Sequence, residues 1–369
     1  MAGKLRTRRR RSNIKARSAR SRAVKGSSGS TQDRKRTGAR PDPLQHAVDV
    51  IRRVCCLAGA TNLLDEIRAE LRAEGIATAI RRHDTGTLFD WLMAAFSYQG
   101  ISDRVASSYM AQHGRVHWAD IEAKLAAKPL CPKLETYWHF YNCHYEKGRK
   151  TCAEPELTNR CPLPGHPLRN GRLNQTAYSL YFFIRDIAGG DLVAWIDRQL
   201  QRADQADEAT RPDRLVNALI NPLRHVYGVS DKILMMALSS ILLAAPRGRE
   251  VWVEAGGHMI AIDTLVHNFL HRTGILSRFG ADHAYGAACY GPSGCAAIVA
   301  RTAQQIDARA FNPKFPAICP RWVQHAILRF CAQLGLDVCN GNRINDRKSC
   351  ENIYCQIRSK CDRISLLSL

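Results

Sequence analysis

Four cysteines near the C-terminal end stand at Cys339-x10-Cys350-x4-Cys355-x5-Cys361, in the polar stretch DVCNGNRINDRKSCENIYCQIRSKC. Thiolates at such close spacing suit zinc or an iron–sulfur cluster. The stretch has too few apolar residues to order itself, so a metal is expected to supply its folding energy. An upstream run, NCHYEKGRKTCAEPELTNRCPLPGH, offers Cys143, Cys152, Cys161 and His166 as a Cys3His zinc set. Its x8, x8 and x4 gaps are looser than a zinc-finger knuckle, and free thiols on a loop are the alternative. Cys289 and Cys295, in CYGPSGC, form a further pair with no clear partner. Cys55 and Cys56 lie on an apolar helix and read as core. Fourteen cysteines in a chain whose N-terminus lacks an apolar stretch argue for metal rather than a disulfide framework. His267 and His271, four apart, read as core histidines, with metal ligation or ligand contact as the alternative. Trp252, Tyr285 and Tyr290 read as packing, with stacking on a planar ligand as the alternative.

The elements that must position this chemistry are helical. Leu88, Trp91, Leu92, Ala95 and Phe96 recur at helix spacing, and short amphipathic helices follow in DRVASSYMAQHG and HWADIEAKLAAK. Helical pattern returns from Thr176 to Gln201. Val251 to Val253 and Met259 to Ile262 are the candidates for short extended pieces. Residues 213–245 read as two apolar helical segments around a tight joint, VYGVSDK. Gly228 can take the backbone conformations such a joint demands. Ser230 suits the N-cap of the second helix, whose exposed amides favour an anion or phosphate. Asp263 directly precedes another helix, in MIAIDTLVHNFLHRTGIL.

Together, LRHVYGVSDKILMMALS and AIDTLVHNFLHRTG resemble the helix-hairpin-helix DNA glycosylase superfamily of endonuclease III type, and LFDWLMAAFSYQG resembles that family's early helix. The resemblance covers residues 86–127 and 172–361. It implies an all-α, two-lobed fold, with Lys232 as the catalytic lysine and Asp263 as the catalytic aspartate. It also implies that Gly228, Val229 and Ser230 form a phosphate-binding hairpin, and that Gln99 fills the gap left by an extruded base. Tyr227, Ser230 and Leu265 depart from the family's Pro, Gly and His, and an insert around APRGREVWVEAGGHM lengthens the stretch between the catalytic pair. The C-terminal cysteines resemble the family's cluster loop, though only the last gap matches, which favours a [4Fe–4S] cluster with zinc as the alternative. The implied activity is excision of a damaged or modified base from double-stranded DNA. The nucleotide is flipped out, Asp263 stabilises positive charge on the sugar, and Lys232 attacks C1′ and nicks the strand by β-elimination. An inactive DNA-binding module and a metal-dependent regulator are the alternatives.

Charge distribution fits a nucleic-acid partner. The net charge is +21, and residues 1–40 hold 15 basic residues against a single acid, Asp33. Such a segment cannot bury a core, so it reads as a disordered arm drawn to phosphate backbones; a transit peptide or a solubilising tail is the alternative. The expected organisation is the arm (1–40), N-terminal helices packing with the C-terminal lobe (44–85), a helical lobe (86–250) with a Cys-rich insert (131–175), a second lobe (251–338) and the cluster loop (339–369). No run approaches the ~20 apolar residues of a membrane span. A monomer is expected, in the cytoplasm with the nucleoid, or in the nucleus or mitochondrion of a eukaryote.

Overall fold

The computed structural model describes residues 42–127, 131–204 and 210–368; the basic arm lies outside them. The first helix, α1 (Pro43–Ala58), starts where the Asp42 carboxylate accepts the Gln45 N–H at 3.0 Å, with Pro43 at its first position. It ends at Gly59, whose φ of 58° is the left-handed stop that glycine allows. Then come α2 (Leu63–Ala73), α3 (Ile76–Arg82), α4 (Thr85–Phe96), α5 (Asp103–His113) and α6 (Trp118–Ala126). The Cys-rich insert contains α7 (Tyr137–Phe140) and a hairpin of β1 (Tyr145–Glu146) and β2 (Thr151–Cys152), the only strands among the described residues. After it stand α8 (Asn174–Phe182), α9 (Leu192–Ala203), α10 (Arg211–Leu223), α11 (Asp231–Leu243), α12 (Glu250–His258), α13 (Thr264–Arg272), α14 (Ile275–Arg278), α15 (Cys295–Ala303) and α16 (Pro320–Cys331). The architecture is therefore all-α, as expected.

Several boundaries differ from the sequence reading. The helix expected over 176–201 is broken. A π-helical turn at Phe183–Ile187 follows α8, and Gly189 and Gly190, at φ 72° and 81°, turn the chain into α9. Val251 to Val253 are helical rather than extended, because Trp252 and Ala255 need helix spacing to reach the core together. Met259 to Ile262 are extended and buried without strand pairing. Cys55 is core, but Cys56 on the opposite helix face is exposed.

Packing blurs the expected lobes, for Pro41–Leu369 is a single compact unit. The first helix does pack on α14, α15 and α16, near the C-terminal end of the chain. By contrast, α2 and α3 pack on each other, α3 on α4, and both α2 and α4 on α11. Across residue 250, α12 packs on α10 and α11 as well as on α16. That docking depends on Gly256. A Cβ there would stand 2.9 Å from Leu242 Cβ and 3.2 Å from the Leu243 backbone nitrogen, and the Gly256 carbonyl accepts the Ser239 hydroxyl at 2.8 Å. Gly256→Val should therefore destabilise the fold by about 1–3 kcal/mol through overpacking. Gly257→Ala should cost nothing, since its Cβ would find Cys319 Sγ at 3.6 Å and helix propensity improves. Urea denaturation of the pair checks this, and equal loss in both would discard the close-approach argument.

Candidate active site and metal-binding groups

The joint between α10 and α11 spans residues 224–230. Arg224 grips Asp231 with two nitrogens at 2.8 and 3.0 Å, closing the hairpin across its base. Val226 is buried beneath it, while Gly228 and Ser230 are exposed. Gly228 has φ 75°, the left-handed conformation that its type permits. Ser230 occupies the N-cap of α11 with φ −88°, so it carries no strain there. Its side chain makes no cap bond, contrary to expectation. Its backbone N–H is instead taken by Gln99 Oε1 at 2.9 Å, and the Gln99 amide donates to the Gly228 carbonyl. Gln99 thus joins the hairpin across 129 residues of chain, with its own carbonyl held by Arg169 at 2.5 Å. Lys147, from the β1–β2 turn, lies 4.6 Å from the centre of the Tyr227 ring and beside Gly228. The insert therefore adds a cation to the exposed hairpin.

Lys232 stands in the first turn of α11, and Asp263 is the N-cap of α13. The Asp263 Oδ1 accepts the Val266 N–H at 2.8 Å. Burial raises its pKa above the ordinary carboxylate value, against the opposing pull of the Val266 N–H and of the Lys232 charge. The two side chains, separated by thirty residues, are thus electrostatic neighbours. Tyr290 accepts the Ile262 N–H at 2.9 Å and so fixes the residue before Asp263. Trp252 takes no part here: it is buried and donates to Asp197 at 2.6 Å.

A cleft of about 370 Å³ opens between α2, α4, α11 and α16. Met236, one turn beyond Lys232, lines it with Trp91, Tyr98, Glu70, Arg321 and His325. Arg321 is buried, and the Asp263 charge reaches it. Burial, with Arg321 and Arg329, pulls His325 down to about 4, so its ring is neutral at pH 7. Burial, with Glu74, raises Glu70. Arg321 Nε and His325 Nε2 are buried without a protein hydrogen-bond partner. Sequence reading missed this wall; its signal was the i, i+4 spacing of Arg321 and His325 on an apolar helix. A larger cleft of about 1050 Å³, lined by Arg68, Arg72, Arg81, Arg211 and Arg249, lies at the far end of α11. Arg211 and Arg249 there are already paired with Asp204 and Asp197, and no catalytic candidate faces it.

Ten of the fourteen cysteines fall into three groups; of the others, Cys331 contacts Cys339. Cys339, Cys350, Cys355 and Cys361 come together: burial, then the neighbouring Cys339, Cys355 and Cys350 thiols, push Cys361 up to about 12. The backbone N–H groups of Ile357 and Arg363 donate to Cys355 and Cys361, two residues back in each case, which offsets part of that rise. The loop is fastened to the ends of α13 and α14, with Ile364 N–H to Arg272 O at 2.9 Å and Arg278 paired with Asp362 at 2.8 Å. Thiolates brought together in this way become compatible once a cation joins them.

In the insert, Cys143, Cys152 and Cys161 also meet, but His166 does not join them. Its Nε2 bonds the Tyr178 hydroxyl at 2.9 Å in the core. The fourth neighbour is Cys131, whose N–H donates to Arg160 O at 3.2 Å and whose thiol acts on both Cys143 and Cys161. The hairpin sets Cys152 opposite Tyr145, two residues from Cys143. The N–H of Glu154 donates to Cys152 Sγ at 3.4 Å.

The third group was not anticipated. His267, His283, Cys289 and Cys295 have ligand atoms all within 4.8 Å of one another and could bind a metal ion. The contact with Cys295 holds Cys289 below the ordinary thiol range, and the same contact raises Cys295. His271, by contrast, is a core histidine as expected, bonded to Ser365 O at 3.2 Å.

Comparisons with protein-family models, curated proteins and solved structures return no match to the chain. Among the described residues, no helix is long and apolar enough to cross a membrane.

Proposed function

We propose that the protein is a DNA glycosylase that extrudes a damaged or modified base from duplex DNA and cleaves its glycosidic bond. One observation carries the reading: Gln99 bonds the exposed 228–230 hairpin, and Lys232, at the start of the next helix, acts electrostatically on the half-buried Asp263, whose charge also reaches Arg321 in the wall of a polar cleft. The backbone amides of Gly228 and Val229 suit a phosphate, beside the Ser230 N–H that Gln99 already holds, with Lys147 adding positive charge nearby. The base would enter the cleft against Trp91, Tyr98, Arg321 and His325. Asp263, ionised, offsets the positive charge that grows on the sugar as the base leaves with the bonding pair. The Lys232 amine attacks C1′ and gives up a proton; the C1′–O4′ bond then breaks, O4′ leaving with the bonding pair and taking up a proton as the 4′-hydroxyl, which gives the ring-opened iminium. Loss of a 2′ proton then expels the 3′ phosphate, which takes the C3′–O bonding pair. Cys339, Cys350, Cys355 and Cys361 would hold a [4Fe–4S] cluster, whose contribution is to order the loop that carries the exposed Arg347 and Lys348.

The test is a screen of duplexes, each with one defined lesion, with borohydride added during turnover. A covalent protein–DNA adduct is expected on at least one duplex. Lys232→Gln should abolish it while changing DNA affinity less than about threefold. An adduct of undiminished yield in the variant rules out Lys232. Binding without base release on any duplex leaves a DNA-binding module.

A further inference from the structure

We propose that His267, His283, Cys289 and Cys295 bind a single zinc ion in a closed tetrahedral site that fastens the 282–295 segment to α13 beside Asp263. The donor set is two imidazoles and two thiols, one of the established donor sets of structural zinc. The spacing is regular at its end, His283-x5-Cys289-x5-Cys295.

Distances agree with one central ion. His267 Nδ1 lies 3.3 Å from Cys295 Sγ and 3.5 Å from Cys289 Sγ, and His283 Nε2 lies 3.4 Å from Cys295 Sγ. Tetrahedral zinc, with bonds of about 2.3 Å to sulfur and about 2.0–2.1 Å to nitrogen, separates S and N ligands by roughly 3.5 Å. The tautomer of His283 is set for the purpose. Its Nδ1 faces the Ala281 carbonyl at 2.6 Å and donates to it, which leaves the Nε2 lone pair for the metal. His267, Cys289 and Cys295 are buried and His283 is half-buried. All four positions of the ion are filled by protein, so the site is structural rather than one that activates water.

The backbone is shaped to bring the thiols together. Gly294 precedes Cys295, and a Cβ there would fall 2.2 Å from Ala288 O and 2.7 Å from Cys289 O. Only glycine lets this turn close. The segment that the ion would fasten is exposed over residues 284–288. Yet it delivers Tyr285 and Tyr290 to Ile262, the residue before Asp263. His267 is one helical turn after Asp263, on the same face of α13. The ion would therefore brace the aspartate from both the helix and the overlying loop. That positioning role rests on the proposed catalysis, whereas the zinc claim does not.

Metal content of the full chain decides the matter, measured alongside variants that leave the other twelve cysteines intact. His283→Ala should lower bound zinc by about one ion per chain and expose Cys289 and Cys295 to alkylation. His283→Cys should restore the ion. After exchange with cobalt, the wild-type chain should show the strong visible bands of tetrahedral Co(II), lost in His283→Ala and shifted in His283→Cys. Base release, once a substrate is known, should survive in His283→Cys and fall in His283→Ala. Loss of zinc without loss of base release would remove the positioning role alone. Equal zinc in the wild type and His283→Ala overturns the proposal, as does a Cys289–Cys295 disulfide in the freshly purified protein.

Discussion

Asp263→Asn is expected to cut single-turnover base release by at least about 100-fold, with DNA affinity changed less than about threefold. The amide keeps the shape and can still accept the Val266 N–H that now reaches Asp263 at 2.8 Å, so α13 keeps its cap. What disappears is the negative charge. The same substitution should raise thermal stability at neutral pH, because the folded protein holds Asp263 above its ordinary pKa, chiefly through burial. With the folded pKa above the unfolded one, the folded state binds the proton more tightly. The resulting contribution favours folding at low pH and is lost as pH rises through the folded value. At pH 7 the ionised side chain is therefore a cost that asparagine removes. Two measurements check this. Melting curves should show the variant above the wild type at pH 7, with the gap closing in acid. Base release by the wild type should decline as pH falls through the raised pKa. Unaltered base release in the variant would end the assignment of Asp263.

Cys355→Ser carries the second large effect. Protein purified without oxygen is expected to be brown, with about four iron and four sulfide per chain at the C-terminal loop. Zinc at His267–Cys295 or in the insert adds metal without colour. Removing one of the four converging thiols should bleach the colour and release the loop from the end of α13. DNA affinity should then fall, with a flatter salt dependence because Arg347 and Lys348 are no longer held in place. The Lys232–Asp263 neighbourhood should persist, since it is set by α11 and by the cap of α13, so borohydride trapping at saturating protein should remain. Colourless wild-type protein with zinc in this loop would replace the cluster by zinc. Neither metal would remove the claim that the loop is metal-ordered.

The division between local and tertiary information is clear at particular residues. Helix existence was legible along most of the chain because it depends on near neighbours: Asp42 and Pro43 start α1, Gly59 stops it, and apolar spacing marks the buried face. The hairpin at 224–230 was legible for the same reason, since Gly228 at φ 75° answers a local demand of the turn. The four C-terminal cysteines are close enough in sequence that their meeting follows from a short tether. The rest depended on contacts between distant segments. Nothing near Ser230 says that its N–H belongs to Gln99, 131 residues away. The position of α12 turned on a glycine whose importance exists only against Leu242 and Leu243. Cys131 displaced His166 because a backbone bond to Arg160 folds the insert back on itself, while Tyr178 claims the imidazole. His267 read as a core histidine because its burial was correctly inferred; its partners His283, Cys289 and Cys295 arrive on a later loop. Sequence determines which side chains can ionise, ligate or attack. Which of them share a site is decided by packing, because the three-dimensional distances between segments are not encoded in any window of the chain shorter than the fold itself.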